Sequence, residues 1–202
     1  MPKRDRQAER REATRREIVD AAWQIARQDG LAAITLREVA SRVGMQSPSL
    51  YTHFASKNAI YDAMFGEAWT GYLEIAEGLE GSLPTSPRKA LLVMLQTFVD
   101  FAIADHARFQ LMNQRMLADF EPSVESYAPS VRVMELFAGR LRGIGVRTDA
   151  DRDLCVAIVG GLIDAQFAND PGGDRWTRQL PRAVDMFADE TGLPGPRLRR
   201  TR

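Results

Sequence analysis

The chain has 202 residues, 45% hydrophobic and 27% charged, and its 27 Lys and Arg are matched by 27 Asp and Glu. This is the make-up of an ordinary globular protein of one or two small domains, and a single cysteine, Cys155, excludes an internal disulfide. The charged N-terminus argues against a signal peptide, and no apolar run approaches the ~18 residues of a membrane helix, so a cytoplasmic location with no membrane partner is expected. The charge is unevenly laid out. Residues 1–57 carry 11 Lys or Arg against 7 Asp or Glu, residues 58–196 carry 12 against 20, and the last six residues add four arginines. Either a basic end docks on a polyanion while an acidic body is repelled from it, or the imbalance is one of the small ones common in globular proteins.

Taken in order, residues 1–13 hold Lys3, Arg4, Arg6, Arg10 and Arg11 among Asp5, Glu9 and Glu12 and lack the apolar residues to pack, which predicts a disordered arm, either touching DNA or solvated. A first helix runs from about Thr14, with Ile18, Ala21, Ala22, Ile25 and Ala26 on one face, to Gly30. Thr35 and Glu38 are spaced as a capping box before the stripe Leu36, Val39, Ala40, Val43. Gly44 then supplies the positive φ of a sharp turn. Ser47 is a suitable N-cap and Pro48 suits the first turn of a third helix, in which Met45, Leu50 and Phe54 point inward. Gln46, Ser47, Ser49, Tyr51, Thr52 and His53 are left as an outer face rich in hydrogen-bonding groups. Helix, Gly-containing turn and second helix with an exposed polar N-terminal face is the helix-turn-helix arrangement.

Ser56 caps a fourth helix, 57–79; residues 80–87 read as a loop; helices are predicted over 87–105 and 106–117. Residues 121–128 read as a loop between Pro122 and Pro129, followed by helices over 129–142, 148–169 and 177–191, the last with Pro181 near its first turn, and a loose tail from Gly192. No strand pattern or long repeat is present, so the fold class is all-α: an N-terminal three-helix helix-turn-helix domain plus a C-terminal helical domain, about nine helices in all. Residues 154–168 carry Ala157, Gly160, Gly161, Ala165 and Ala168, small residues that let another helix approach closely. Cys155 in this apolar stretch is expected to be a buried thiol.

Residues 14–65 closely resemble the DNA-binding domain of the tetracycline repressor (TetR) family, above all in Thr35-Leu36-Arg37-Glu38-Val39-Ala40, Gly44 and Leu50-Tyr51-Thr52-His53-Phe54 followed by Ser56-Lys57. Gln46 stands where the family often has Ser or Thr. The resemblance implies a DNA-binding domain over 1–56 and an effector-binding and dimerisation domain over 57–202, joined through the fourth helix. Gln46, Ser47, Pro48, Ser49 and Thr52 are then expected at base edges, Gln46 able to bond adenine bidentately and Pro48 to meet a thymine methyl. Thr35, Tyr51, His53 and Lys57 match positions that hold phosphates. An effector pocket among helices four to eight is implied, for which the sequence offers Trp69, Tyr72, Phe98, Phe101, Met112, Met116, Phe120, Tyr127, Met134 and Phe137, with Asn113, Gln114 or His106 as polar anchors. The last two helices, 150–169 and 177–190, would form a homodimer interface through Ala157, Gly160, Gly161, Asp164, Ala165, Ala168 and Phe187.

The function expected is a ligand-responsive regulator, a repressor, that binds palindromic double-stranded DNA as a homodimer under control of a small-molecule effector. The alternative is a non-catalytic dimerisation module with a vestigial head. Catalysis, a cofactor and a metal are not expected. Only His53 and His106 are present, no paired His or Cys spacing occurs, and no nucleophile or phosphate-loop motif is found.

Overall fold

A computed structural model describes residues 3–198. These residues form nine α-helices and no strand: α1 Lys3–Asp29, α2 Leu36–Arg42, α3 Ser47–Leu50, α4 Lys57–Glu77, α5 Pro87–Ile103, α6 His106–Asn113, α7 Val124–Ile144, α8 Asp149–Asn169 and α9 Leu180–Glu190. Short 3-10 turns at Leu31–Ala33 and Thr177–Gln179 follow α1 and precede α9. Among the described residues no single helix is long and apolar enough to cross a membrane. Packing groups the chain into two compact units, one containing residues up to Trp69 with Asp105–Ala128, the other Thr70–Ala104 with residues from Pro129 onward. The first of these groups takes in more of the chain than the head delimited by sequence at residue 56.

In the first unit, α1 buries Ile18, Ala21, Ala22, Ile25 and Ala26, the stripe that the spacing predicts, and adds Val19 and Trp23. Helices α2 and α6 pack on it, and Ile60, Tyr61 and Met64 of α4 are buried. The buried Tyr61 hydroxyl donates to the Leu31 carbonyl at 2.7 Å, so the turn after α1 is satisfied by α4. Burial pushes the Tyr61 phenol up from its usual range. Arg27 Nε meets Asp105 Oδ2 at 2.8 Å, which fixes the start of α6, where the same carboxylate caps the helix by accepting from the Arg108 amide at 3.0 Å.

Four expectations about helix ends are corrected. The N-terminal arm is not disordered over its described part: α1 begins at Lys3, while Met1 and Pro2 lie outside the described residues. Residues 6–13 are mostly Arg, Gln, Ala and Glu, good helix formers, and Glu12 stands three and four residues before Arg15 and Arg16. Extending an anchored helix needs no new nucleus and no apolar face. Helix α6 stops at Asn113, because Gln114 is extended (φ −117°, ψ 132°). Helix α7 starts at Val124, and Pro129 lies within it. Its start is fixed by Asp62, whose carboxylate accepts from the Ser123 amide (2.7 Å) and from the Ser123 and Ser126 hydroxyls (both 2.9 Å). Ser123 Oγ in turn accepts from the Ser126 amide. That capping holds the first turn in place against the amide hydrogen bond that Pro129 cannot donate. The fourth concerns Ser47. It is the first residue of α3, and Gln46 is the N-cap, since the Gln46 carbonyl already accepts from Ser49 and Leu50.

In the second unit α5 lays Ala90, Leu91, Met94, Leu95, Val99 and Ala102 against α8 and α9. Those two helices bury Cys155, Val159 and Ile163, and Leu180, Val184, Phe187 and Ala188. Cys155 is buried as expected, and burial pushes its thiol up to about 12. Thr148 caps α8 by accepting from the Asp151 amide at 3.0 Å. Buried Gln166 accepts from the amides of Trp176 and Thr177 at 2.9 and 3.3 Å and donates to the Asp170 carbonyl, which closes the loop between α8 and α9. Arg88, buried at the start of α5, reaches Asp189 Oδ1 at 2.6 Å, Asp185 Oδ1 at 3.3 Å and the Leu193 carbonyl at 3.1 Å. Residues 192–198 are therefore tied back onto α9, with Leu198 N donating to Asp185. The arginines at 199, 200 and 202, part of the predicted loose tail, lie outside the described residues.

The Arg88 cluster makes an acid-sensitivity prediction. Hydrogen bonding from Arg88 first, then from Arg197, holds the Asp189 carboxyl below the usual carboxylate range. A carboxyl depressed in the folded state contributes stability above its unfolded pKa of about 3.9 and loses it as pH falls through the folded value. Urea midpoints of the native chain should therefore fall below about pH 4. Arg88→Met should lower the midpoint at pH 7 and show a smaller further fall in the acid window.

Candidate nucleic-acid interface

The face offered by α2 and α3 is assembled from local hydrogen bonds. Thr35, extended at φ −129°, accepts from the Glu38 amide at 3.1 Å, the first half of the expected capping box. The Glu38 carboxylate takes Arg42 Nε at 3.3 Å, one turn along. At the other end of α2, Met45 N bonds the Ala40 carbonyl at 2.8 Å and Gly44 N the Ser41 carbonyl at 3.2 Å. This is the paired pattern of a Schellman turn, and Gly44 adopts the positive φ, 66°, that it requires.

The regular part of α3 is only Ser47–Leu50. Hydrogen bonds from His53 and Phe54 to the Leu50 carbonyl, at 2.9 and 3.0 Å, carry the coil on to Phe54. Leu50 and Phe54 are buried on its inner side, while Gln46, Pro48, Ser49, Tyr51 and Thr52 are exposed and Ser47 and His53 half-buried. Tyr51 is 56% exposed, unusual for so large a ring. Thr52 Oγ1 donates to the Ser49 carbonyl at 2.7 Å. Lys57 is exposed, with its ammonium 5.5 Å from the Tyr61 ring centre. All nine residues singled out for DNA belong to the first unit, and of the side chains named for base edges Gln46, Pro48, Ser49 and Thr52 are exposed and Ser47 is half-buried.

Sequence reasoning missed the supports behind this face. Arg11 Nη2 donates to the Thr52 carbonyl at 3.1 Å, and Arg15 Nη1 donates to the His53 carbonyl. The Arg15 guanidinium also lies 4.1 Å from the Phe54 ring centre. Two cations from α1 thus take carbonyls at the C-terminal end of the α3 coil, where a helix leaves acceptors unsatisfied and cations are favoured. The available signal was the one-turn spacing of Arg11 and Arg15, hidden in a stretch that reads as solvated charge.

The aromatic and methionine candidates for an effector pocket divide between the units. Tyr72, Phe98 and Phe101 come together in the second, with Tyr72 ring centres 5.1 and 5.2 Å from the other two, and burial pushes the Tyr72 hydroxyl up to about 12. Met134 and Phe137 belong to that unit too, Met134 exposed and Phe137 half-buried. In the first unit Trp69, Phe120 and Tyr127 all contact Phe65, Tyr127 stacked on it at 6.1 Å. Phe65 was not among the candidates. Met112 is buried, Met116 exposed, and Asn113 donates to the Phe109 carbonyl at 3.2 Å. Of the other polar anchors, His106 is exposed and Gln114 half-buried.

On α8, Ala157, Gly161, Asp164 and Ala168 are exposed and Gly160 and Ala165 half-buried. Phe187 departs from the expectation. It is buried within the chain, beside Leu95, Cys155 and Val184, because the apolar stripe of α9 turns inward onto α5.

Comparison with known proteins gives a consistent set of likenesses. Residues 18–64 match the family model described as bacterial regulatory proteins, tetR family. The class A tetracycline repressor from transposon 1721 of Escherichia coli is 38% identical over 188 residues, covering 87% of this chain and 81% of that protein. The match to the class D tetracycline repressor of the same organism is shorter, spanning only 34% of that protein's length. Among solved structures, the TetR-family regulator PfmR of Thermus thermophilus shares the fold with a TM-score of 0.64 at 21% identity, covering 84% of this chain and 96% of that one. The regulator FadR of Bacillus subtilis, solved in complex with stearoyl-CoA, does so with a TM-score of 0.62 at 15% identity, covering 85% and 96%.

Gly44 provides a direct check on the turn. A Cβ there would meet nothing within 4 Å, so only backbone strain opposes a side chain. Gly44→Ala should cost about 1 kcal/mol in chemical unfolding, from forcing a non-glycine residue into the left-handed region. Retention of full stability would mean that the turn can relax to negative φ.

Proposed function

Since the chain belongs to the TetR family of DNA-binding transcriptional regulators, we propose that it is a ligand-responsive repressor that binds a palindromic operator as a homodimer. The observation that carries this reading is the exposed, polar N-terminal face of α3, held rigidly behind by the Gly44 turn and buried Leu50 and Phe54. In this assignment residues 1–56 read DNA and residues 57–202 bind the effector and the second subunit. Gln46, Ser47, Pro48, Ser49 and Thr52 approach base edges, and Thr35, Tyr51, His53 and Lys57 hold phosphates that set register. The protein acts in the cytoplasm, where its DNA is, and without catalysis.

A homodimer follows from the geometry of reading. One short helix meets too few bases for useful specificity, whereas a twofold protein matches an inverted repeat. The outer face of α8 suits the second subunit. It is lined by Ala157, Gly161, Asp164 and Ala168, with Gly160 and Ala165 at its margin, and a Cβ at either glycine would meet nothing within 4 Å in the chain. The effector is a moderately apolar small molecule held among the aromatic and methionine side chains, of which the Tyr72, Phe98 and Phe101 group is the best-formed cluster in the second unit. Stearoyl-CoA, bound by the FadR neighbour, joins an apolar acyl chain to a charged carrier and supports an apolar portion in the ligand.

Selection of bound duplexes from a random pool at near-physiological salt should enrich an inverted repeat. Affinity for the enriched duplex should fall with salt, with a log-log slope of about −0.9 for each phosphate neutralised, and Tyr51→Ala and Lys57→Ala should each weaken it. No enrichment from a folded dimer would favour a helical interaction module with a vestigial head.

The α8 face has its own test. Gly161→Leu has room within the chain but blocks close approach of a second helix. Sedimentation should show monomers of unchanged helix content that no longer bind the selected duplex. A dimer that persists would remove α8 from the interface.

A further inference from the structure

The first unit contains a groove of about 390 Å³ lined by Thr52 and His53, already assigned to DNA, and by Gln7, Arg10, Arg11 and Thr14 of α1, which no assigned contact uses. The four α1 residues stand at i, i+3, i+4 and i+7, one face of the helix, and this face exists only because α1 extends to Lys3. No lining residue is acidic. Glu9 and Glu12 fall to either side of the stripe, about 100° away at helical spacing. Arg11 is fixed in the wall by its hydrogen bond to the Thr52 carbonyl. Thr14 Oγ1 donates to the Arg10 carbonyl at 3.1 Å. The Arg10 guanidinium makes no ion pair or hydrogen bond among the described residues, and it is exposed. His53 Nδ1 is shielded from solvent and likewise has no hydrogen-bond partner among them. The groove therefore combines an uncommitted planar cation, an amide donor on Gln7 and an unsatisfied imidazole nitrogen, beside the segment that ends the recognition helix.

We propose that this groove holds a phosphodiester of the DNA backbone, with Arg10 as its charged contact and Gln7 as a neutral donor, while Arg11 shapes the wall. A guanidinium suits such a site because its fork can meet two phosphate oxygens at once. The contact adds α1 to the elements that set the protein's register on the duplex, and it rests on the reading of the chain as a DNA-binding regulator. It confers no sequence preference.

The test uses the full-length chain, the selected duplex and a random-sequence duplex, with dissociation constants measured between 50 and 200 mM salt. Arg10→Gln is compared with Arg16→Gln, which removes the same charge from the far side of α1. Arg10→Gln should weaken both duplexes by a similar factor and reduce the salt slope by about 1.8, one phosphate for each subunit of the dimer, whereas Arg16→Gln should leave the slope at the wild-type value. Equal slopes in wild type and Arg10→Gln, or the same reduction in both variants, would overturn the site while leaving the regulator reading intact. Failure of the wild-type chain to bind either duplex would overturn both. Titration with inorganic phosphate supplies the remaining arm: millimolar saturation abolished by Arg10→Gln, without any effect of that variant on duplex binding, would assign the groove to a free anion and not to DNA.

Discussion

A helix of one turn cannot hold itself together in water, since fixing its first residues costs more than the few hydrogen bonds return. Helix α3, Ser47–Leu50, is such a helix, and its conformation is imposed from three sides. In front, the Gly44 turn and the extended Gln46 set the direction in which the coil begins. Beneath, Leu50 and Phe54 are clamped in the core of the unit. Behind, Arg11 and Arg15 of α1 take the Thr52 and His53 carbonyls. Because these supports use backbone groups and inward side chains, the outer side chains carry little structural duty. Gln46, Ser49 and Tyr51 are free to be chosen for what they touch.

The same device recurs wherever elements of this chain meet. One polar side chain, sheltered from water, satisfies backbone groups at a junction: Tyr61 takes one at the turn after α1, Gln166 several at the loop between α8 and α9, and Arg88 the Leu193 carbonyl where α5 meets α9 and the following tail. A group of this kind is costly to leave unpaired, so its partners fix the local geometry more sharply than apolar packing does. In the second unit α8 and α9 turn Cys155, Val159, Ile163, Val184 and Phe187 inward, and the face of α8 bearing Ala157, Gly161 and Ala168 is exposed.

Much of this was legible in the sequence because it depends on single residues with one strong backbone preference. Thr35, Gly44, Ser56 and Thr148 marked helix ends correctly, since a capping hydroxyl or a positive φ leaves few alternatives. The misread stretches depend on partners distant in sequence. The described part of the arm is helical because it continues an anchored helix, not because of a periodic apolar stripe. Pro129 ordinarily argues for a boundary, yet Asp62, 61 residues before Ser123, secures the start of α7 upstream of it. Phe187 lies on an apolar face of α9 whose destination, core or partner, periodicity alone does not distinguish. The outward residues of α3 were found because the motif is local, and the braces at Arg11 and Arg15 were missed because they span 41 and 38 residues.

The charge layout acquires a different meaning once these contacts are drawn. The positive excess of residues 1–57 suggests a broad field over the head, but several of its cations are committed within the protein. Arg11 and Arg15 serve carbonyls, Arg27 serves Asp105 and Arg42 serves Glu38. What faces outward near the recognition segment is sparse charge, such as Arg10 and Lys57, set among hydroxyls and amides. A diffuse basic coat favours any polyanion through counterion release alone, whereas a few placed cations beside a rigid polar face leave more of the binding energy to hydrogen bonds whose partners must be correctly positioned. The neutral balance of the whole chain fits the same economy, with few uncommitted cations beside a short helix that other elements hold in place.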